Sequence, residues 1–391
     1  MQTMYEISIF DGEHRLHIDK PLRLIELFAG YGSQSLALKY LGIPHEHYFI
    51  SEWAVKSIQA YKDMHCHEDN KPYDSVFTDK EIRNYLKGKI SADYSTPLSD
   101  EQIERMPIDK ARTIVRNMFA TNNLGSICSI DAKKHPIVGD YTYLLTYSFP
   151  CQDLSMAGLR QGMERGSSTR SGLLWEVERL LNEWNDIGRV PDILLMENVP
   201  EVVGTKNRKA WEEWIASLDQ LGYKSYWKIL NATDYGIPQN RRRCFMVSVQ
   251  GNYYYDHPSP IGCPLRLKDV LENKVSEDYY LSDETVAKFV RSRSVDAERE
   301  IESGTLFPDG TMKPNDSASA LLARDYKNGN GANRRDGINA VVERERMMGT
   351  LMRDGSMIEK SIAGSITCEE AKRGRNVKCR DGINAVVEKS D

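Results

Sequence analysis

Leu22-Arg23-Leu24-Ile25-Glu26-Leu27-Phe28-Ala29-Gly30-Tyr31-Gly32-Ser33 opens as an apolar run and ends in two glycines one residue apart. The run reads as a buried strand. Residues 35–41 follow with a helical pattern closed by Gly42. A strand, a glycine turn and a helix in succession let the backbone approach a nucleotide cofactor closely. A Gly-x-Gly alone is weak evidence. Residues 47–50 then read as a second strand, ending at Ser51-Glu52-Trp53. A carboxylate there is placed for ribose hydroxyls, and an indole beside it can stack on adenine. The plainer reading of Glu52 is an exposed loop carboxylate.

Residues 141–147 are aromatic, β-branched and apolar, which predicts another buried strand. Ser148-Phe149-Pro150-Cys151-Gln152-Asp153-Leu154-Ser155 follows, and Pro150 forbids continuation of the ladder. Cys151 therefore falls where a strand ends, the edge of an open α/β sheet at which ligands bind. A cysteine there is a candidate nucleophile if its thiolate is accessible, although free cysteines are more often small buried hydrophobes. Residues 192–196 predict a strand delivering Met196-Glu197-Asn198-Val199. Residues 172–181 and 209–221 are amphipathic helices, and residues 223–230 are a strand. Gln239-Asn240-Arg241-Arg242-Arg243 leads into residues 244–249, its expected hairpin partner. Alternating strands and helices imply a largely parallel sheet covered on both faces.

With 391 residues the chain can hold a large core and a second, smaller domain. No apolar run approaches the roughly 20 residues of a membrane span, and the N-terminus lacks a secretory pattern. Seven cysteines without a C-x-x-C pair predict reduced thiols in a cytosolic compartment. His65-Cys66-His67 reads as a solvated loop, since adjacent side chains converge poorly on a metal. A net charge of −5 argues weakly against nucleic acid, but a local basic patch suffices to bind it.

The motifs around Cys151, Glu197 and Gln239, in this order, resemble those of the cytosine-5 DNA methyltransferase family. Pro150-Cys151-Gln152 matches its nucleophile motif, Glu197-Asn198-Val199 its Glu-Asn-Val motif, and Gln239, Arg241 and Arg243 its Gln-x-Arg-x-Arg motif. The resemblance runs from about residue 22 to residue 249. It implies a Rossmann-like α/β fold binding S-adenosyl-L-methionine, and double-stranded DNA as substrate. By that resemblance Phe28, Ala29, Gly30 and Gly32 line the cofactor path, with Pro150 beside them. Glu52 holds the ribose and Trp53 packs on adenine. Ser126 and Ile127 stand where the family has Asp-Ile, and Asp131 is a candidate substitute for the missing carboxylate. Ser33 replaces a glycine and is small enough for the turn to survive.

Cytosine carbon 5 is a poor nucleophile. A thiolate adding to carbon 6 makes the ring an enamine, so the implied roles are Cys151 as nucleophile and Glu197 as donor to ring nitrogen 3 if burial raises its pKa. Asn198, Gln152, Ser155 and Gln239 hold the loop and substrate. Arg241 and Arg243 grip the extruded nucleotide and nearby phosphate with planar forks. Arg160, Arg165 and Arg170, interleaved with serines, suit phosphate contacts or an ordinary solvated loop.

Residues 1–250 form the expected catalytic domain, with an edge strand at residues 5–10 and a surface helical insertion at residues 62–122. Residues 251–391 form the expected β-rich target-recognition region. There Gly304-Thr-Leu-Phe-Pro-Asp-Gly-Thr-Met312 recurs as Gly349-Thr-Leu-Met-Arg-Asp-Gly-Ser-Met357. Arg335-Asp-Gly-Ile-Asn-Ala-Val-Val-Glu343 recurs unchanged at residues 380–388. Residues 304–343 and 349–388 are thus tandem copies, each basic near one end. The family's closing Gly-Asn-Ser/Ala motif and helix are not found before Asp391. The resemblance then implies an open cofactor pocket, completed by further chain or by a second polypeptide. It also implies a bacterial or phage-encoded cytoplasmic enzyme. An RNA cytosine-5 methyltransferase of the same family and a catalytically impaired DNA-binding homologue remain alternatives.

Overall fold

The computed structural model describes residues 18–150, 163–165 and 170–270, together with the backbone of seven short strands between residues 304 and 388. The expected strand at residues 5–10 lies outside these. The chain divides into two compact units: residues 1–229 with 243–257, and residues 230–242 with 258–391.

The first unit is built on a sheet. Its elements in chain order are β1 (Leu22–Leu27), α1 (Ser33–Tyr40), β2 (His45–Ser51), α2 (Val55–His65), α3 (Asp79–Leu86), α4 (Asp100–Arg105), α5 (Ile108–Ala120), β3 (Thr142–Tyr147), α6 (Leu174–Asp186), β4 (Ile193–Asn198), α7 (Arg208–Gln220), β5 (Tyr223–Asn231), β6 (Gln239–Asn240) and β7 (Arg242–Gln250). The two-residue β6 lies in the second unit, as do the last residues of β5 and the first of β7. The strand order is β2-β1-β3-β4-β7-β5. β1 runs parallel to both β2 and β3, and β3 parallel to β4, while β7 is antiparallel to β4. β7 lies beside β5, the neighbour that the sequence assigned to it. Because the chain leaves β1 for one side and returns as β3 on the other, a crevice opens at their carboxyl ends.

Alternation along β1 sends Ile25 and Leu27 into a large core with Phe49, Tyr143, Leu145, Tyr147 and the apolar stripes of α6 and α7. Trp184 and Trp214 anchor those helices, both fully buried. Glu26 points the other way, towards α1 and α2, and is also fully buried. A bulge between Leu24 and Ile25 rephases β2, pairing His47 with Leu24 but Phe49 with Ile25. It keeps both histidines on the Glu26 side while Phe49 enters the main core.

Residues 62–122 contain the end of α2 and all of α3, α4 and α5. These helices carry their own core of Ile58, Ile82, Leu86, Ile103, Ile114 and Met118. Capping boxes start α3 and α4: Thr78 exchanges bonds with Glu81, and Ser99 with Gln102. The segment after α5 returns to the sheet, where Ile50 pairs with Asn123.

The second unit repeats in structure as it does in sequence. β8 (Gly304–Leu306) and β9 (Met312–Pro314) form an antiparallel hairpin, pairing Gly304 with Pro314 and Leu306 with Met312. In β12 (Arg346–Leu351) and β13 (Met357–Glu359), Gly349 pairs with Glu359 and Leu351 with Met357. Each pair is displaced by the 45 residues that separate the copies. The duplicated Asn-Ala-Val-Val becomes β11 (Asn339–Val342) in one copy and part of β14 (Asn384–Glu388) in the other, meeting in parallel at Val341 and Val386. β10 (Ala318–Ser319), from the first copy, pairs in parallel with β6.

Candidate active site

The turn after β1 is a run of left-handed backbone. Phe28, Gly30 and Gly32 have φ of 58°, 59° and 80°. For a bulky residue such as Phe28 that conformation costs of order 1–3 kcal/mol and is kept where the surroundings impose it. The turn closes through Gly32 N–H donating to the Ala29 carbonyl at 2.8 Å, with Ser33 as the first residue of α1. Beside Gly30 there is open space, whereas a Cβ on Gly32 would lie 2.4 Å from His65 Nε2 and 2.6 Å from the Tyr61 ring. The turn is therefore seated on α2 and open on the other side.

Glu52 is buried rather than exposed on a loop. Its carboxyl accepts from Gly30 N–H at 2.8 Å and from Ala54 N–H at 2.7 Å, tying the turn to the end of β2. Each oxygen keeps a second lone pair for a sugar hydroxyl. Burial pushes its pKa up to about 7. Trp53 follows, half-buried, its carbonyl accepting from Ser91 N–H at 2.7 Å. Ser126 and Ile127 are buried nearby, and Ser126 N–H donates to the Lys89 carbonyl at 2.9 Å. Asp131 caps its own 3-10 turn by accepting from Lys133 N–H. Asn123 joins these parts: its side chain accepts from Glu52 N–H and Gly125 N–H and donates to the Glu52 carbonyl. Its only signal in the sequence was its place at the head of Asn-Leu-Gly-Ser.

Cys151, Gln152 and Ser155 lie outside the described residues, as do Arg160 and the Arg170 side chain. The approach to Cys151 is described. The Asn198 side chain donates to the Phe149 carbonyl at 3.0 Å and accepts from Val199 N–H at 2.8 Å. Ser171, fully buried, donates to the Pro150 carbonyl at 2.8 Å. Both carbonyls preceding Cys151 are thus fixed, one by the Glu-Asn-Val strand end and one by a serine that no sequence motif marked. Of the loop arginines, Arg165 forks onto Glu178, 2.8 Å through its second nitrogen, and stacks on Trp175 at 4.1 Å. That engagement ties the loop to α6 and leaves the Arg165 side chain half-exposed.

Glu197 is the penultimate residue of β4, opposite Phe245 of β7. Its Oε1 lies 3.0 Å from Nε of Arg243, both side chains about one-fifth exposed. The carboxyl is thus held by a guanidinium rather than shut into an apolar pocket. Gln239 and Arg241 belong to the second unit. Gln239 sits in β6 opposite Ala318, and Arg241 N–H donates to the Asn231 side chain at 2.9 Å. His65, expected in a solvated loop, instead ends α2 with its ring tilted against Tyr61. Burial raises the thiols of Cys66, Cys128 and Cys244, the last to about 12. Among the described residues no cluster suits a metal ion, and no helix is long and apolar enough to cross a membrane.

A left-handed glycine turn, a buried carboxylate at the next strand end and an indole beside it fit a nucleoside-bearing cofactor. Residues 107–375 match the family model described as C-5 cytosine-specific DNA methylase. The chain is 37% identical over 313 residues to the type II methyltransferase M2.ScrFI of Lactococcus lactis subsp. cremoris, covering 74% of this chain and 83% of that one. It is 39% identical over 270 residues to the orphan methyltransferase M.SssI of Spiroplasma monobiae, covering 68% of each. The chain belongs to the C-5 cytosine-specific DNA methylase family. It is a DNA cytosine methyltransferase, and S-adenosylmethionine is its methyl donor.

Proposed function

We propose that Cys151 is the nucleophile, that Glu197 and Arg243 act together on the cytosine ring, and that the Phe28–Gly32 turn, Glu52 and Trp53 hold S-adenosylmethionine. The observation that carries this reading is the double grip on the chain entering Cys151. Asn198 and Ser171 fix the Phe149 and Pro150 carbonyls at the carboxyl edge of the sheet. Tyr147 of β3 pairs with Met196 of β4, so Glu197 lies one residue beyond that pair.

Addition of the Cys151 thiolate to carbon 6 of an extruded cytosine places electron density on carbon 5. Glu197, as the carboxylic acid, gives its proton to ring nitrogen 3 as that charge develops and takes it back when the ring is restored, and Arg243 fixes the carboxyl for the task. S-adenosylmethionine, when bound, supplies the methyl group that carbon 5 takes. Loss of the carbon 5 proton and departure of Cys151 restore the aromatic ring. Extrusion is required because the target carbons are out of reach inside a duplex.

Residues 251–391 are assigned to target recognition, with both repeat copies contributing. The equal hairpin registers of the two copies support this, since one folded unit used twice presents the same surface twice. Double-stranded DNA is the substrate; nothing among the relatives supports a second polypeptide. A type II or orphan methyltransferase role accords with the relatives' own descriptions.

The test is covalent trapping on duplex DNA containing 5-fluorocytosine, in which fluorine replaces the proton that must leave. With S-adenosylmethionine present, the wild-type chain should form a denaturant-stable adduct, and Cys151→Ala should form none while still binding the cofactor. An adduct in the variant would remove Cys151 from the role.

A further inference from the structure

Beneath the glycine turn lies a chain of polar groups that the methyl-transfer chemistry does not use. Glu26 Oε1 accepts from Ser35 N–H at 3.2 Å, and Oε2 lies 2.5 Å from the Tyr61 hydroxyl. That hydroxyl is 2.9 Å from His47 Nδ1. His47 Nε2 is 3.0 Å from Ser35 Oγ, which is 3.1 Å from His45 Nε2. His45 Nδ1 ends the chain, 3.0 Å from the Ile43 carbonyl.

Counting hydrogens constrains this chain. A carbonyl only accepts, so His45 Nδ1 carries a hydrogen. Ser35 has one hydroxyl hydrogen and faces two imidazole nitrogens, so one of them must donate. Tyr61 has one hydrogen and stands between a carboxyl and an imidazole, so again one neighbour must donate. Every arrangement that satisfies all these contacts holds one proton more than a carboxylate beside two neutral imidazoles. That proton sits on Glu26, on His47 or on His45, and shifting the intervening hydrogens moves it between them. Burial favours the uncharged arrangement, with the proton on Glu26: desolvation raises Glu26 to about 7 and lowers His47 to about 4.

The chain touches the cofactor turn directly. Tyr61 and His65 are the groups against which Gly32 is seated. His65 Nε2 donates to the Tyr31 carbonyl at 2.8 Å, and its ring lies tilted against Tyr61, 4.4 Å between centroids. Removing the proton leaves two acceptors facing across a buried hydroxyl. That hydroxyl belongs either to Tyr61, which packs on Gly32, or to Ser35 in the first turn of α1, which Gly32 caps, so the missing hydrogen bond weakens the support of the turn from either place. At the other end, His45, His47, His65 and Lys39 line a cavity of about 360 Å³ through which protons can exchange with solvent. The titratable groups facing the chain are thus Lys39 of α1, His45 and His47 of β2, and His65 and Cys66 at the end of α2. Glu52 faces the turn from the opposite side.

We propose that Glu26, Tyr61, His47, Ser35 and His45 are positioning residues that hold the glycine turn through one shared proton, so that S-adenosylmethionine binding is linked to occupancy of that proton. This rests on the assignment of the turn to the cofactor. Glu26→Gln is the diagnostic variant, because its amide reproduces the protonated acid, accepting from Ser35 and donating to Tyr61. The experiment is calorimetric titration of the full chain with S-adenosylmethionine from about pH 6 to about pH 9, in buffers of differing ionisation enthalpy. The ligand's amino group and Glu52 also titrate in this range, so the readout is the difference between wild type and Glu26→Gln. Wild-type Kd should rise about tenfold per pH unit above the chain's midpoint relative to the variant, with one extra proton taken up on binding. Glu26→Gln should therefore bind more tightly than wild type in alkali. Tyr61→Phe, which interrupts the relay, should lose the linkage as well. A constant ratio of the two dissociation constants at every pH would reduce Glu26 to a structural residue and overturn the proposal. No binding by wild type at any pH would instead overturn the cofactor assignment, and the linkage with it.

Discussion

Gly32→Ala and Gly30→Ala form a matched pair. Both glycines have left-handed backbone, at φ of 80° and 59°. An alanine at either position meets the left-handed cost of roughly 1–2 kcal/mol. At Gly30 nothing more is added, since a Cβ there meets no atom within 4 Å. At Gly32 the Cβ would lie 2.4 Å from His65 Nε2 and 2.6 Å from a Tyr61 ring carbon. His65 is half-exposed and can swing aside, losing its bond to the Tyr31 carbonyl. Tyr61 is fully buried and bonded to Glu26, so it yields only by shifting α2 or the turn. Overpacking of this kind costs about 1–3 kcal/mol. If cofactor binding needs the native turn, Gly32→Ala should bind S-adenosylmethionine about 5- to 150-fold more weakly than Gly30→Ala. Calorimetric titration gives the ratio, and near-ultraviolet circular dichroism reports whether the core stays packed. Equal affinities would mean that the turn is not seated on Tyr61 and His65 as described.

Glu197→Gln should lower turnover by about 10²-fold or more with cofactor affinity unchanged, because general-acid contributions are of that scale; a near-normal rate under single-turnover conditions would refute the role. Ser171→Ala removes the bond to the Pro150 carbonyl, a contact worth roughly 1 kcal/mol, and should slow adduct formation several-fold while sparing cofactor binding. Glu26 and Glu52 are each raised to about 7 by burial, above the unfolded value of 4.5. Their contribution is fully present below about pH 4.5 and is lost as pH rises through about 7, at most about 3 kcal/mol each. Urea melts should show wild type losing stability between pH 5 and pH 8 relative to the Glu26→Gln, Glu52→Gln double variant, and parallel profiles would contradict this. Deleting residues 349–388 should change or remove methylation at some sites on plasmid DNA while leaving cofactor affinity intact; unchanged site choice and rate would detach the second copy from recognition.

Local chemistry made much of the fold legible in the sequence. β1, β3 and β4 are rich in apolar, aromatic and β-branched residues because both faces of a central strand are covered, and such runs announce themselves. The amphipathic stripes of α6 and α7 and the glycines closing the first turn are equally local. So is the order of the Pro-Cys, Glu-Asn-Val and Gln-x-Arg motifs, which carried the family. Even the repeat in the second unit could be read from identity alone, and the strands of the two copies keep the 45-residue offset.

Contacts between distant residues could not be read in this way. Glu52 was legible as a carboxylate at a strand end, but its burial and its two backbone donors depend on the turn folding back over it. Arg165 was legible only as a loop arginine, and its partners Glu178 and Trp175 lie on a helix further along the chain. Asn123 and Ser171 are ordinary polar residues by sequence; only the packing of their segments against β2 and the Pro150 loop gives them partners. Most of all, Glu26, Ser35, His45, His47 and Tyr61 come from β1, α1, β2 and α2, and no spacing rule links them. A one-residue bulge in β2 sets which face its histidines occupy. Strand and helix identity follow from neighbours within a few residues, whereas a buried proton chain exists only where separate elements exclude water together.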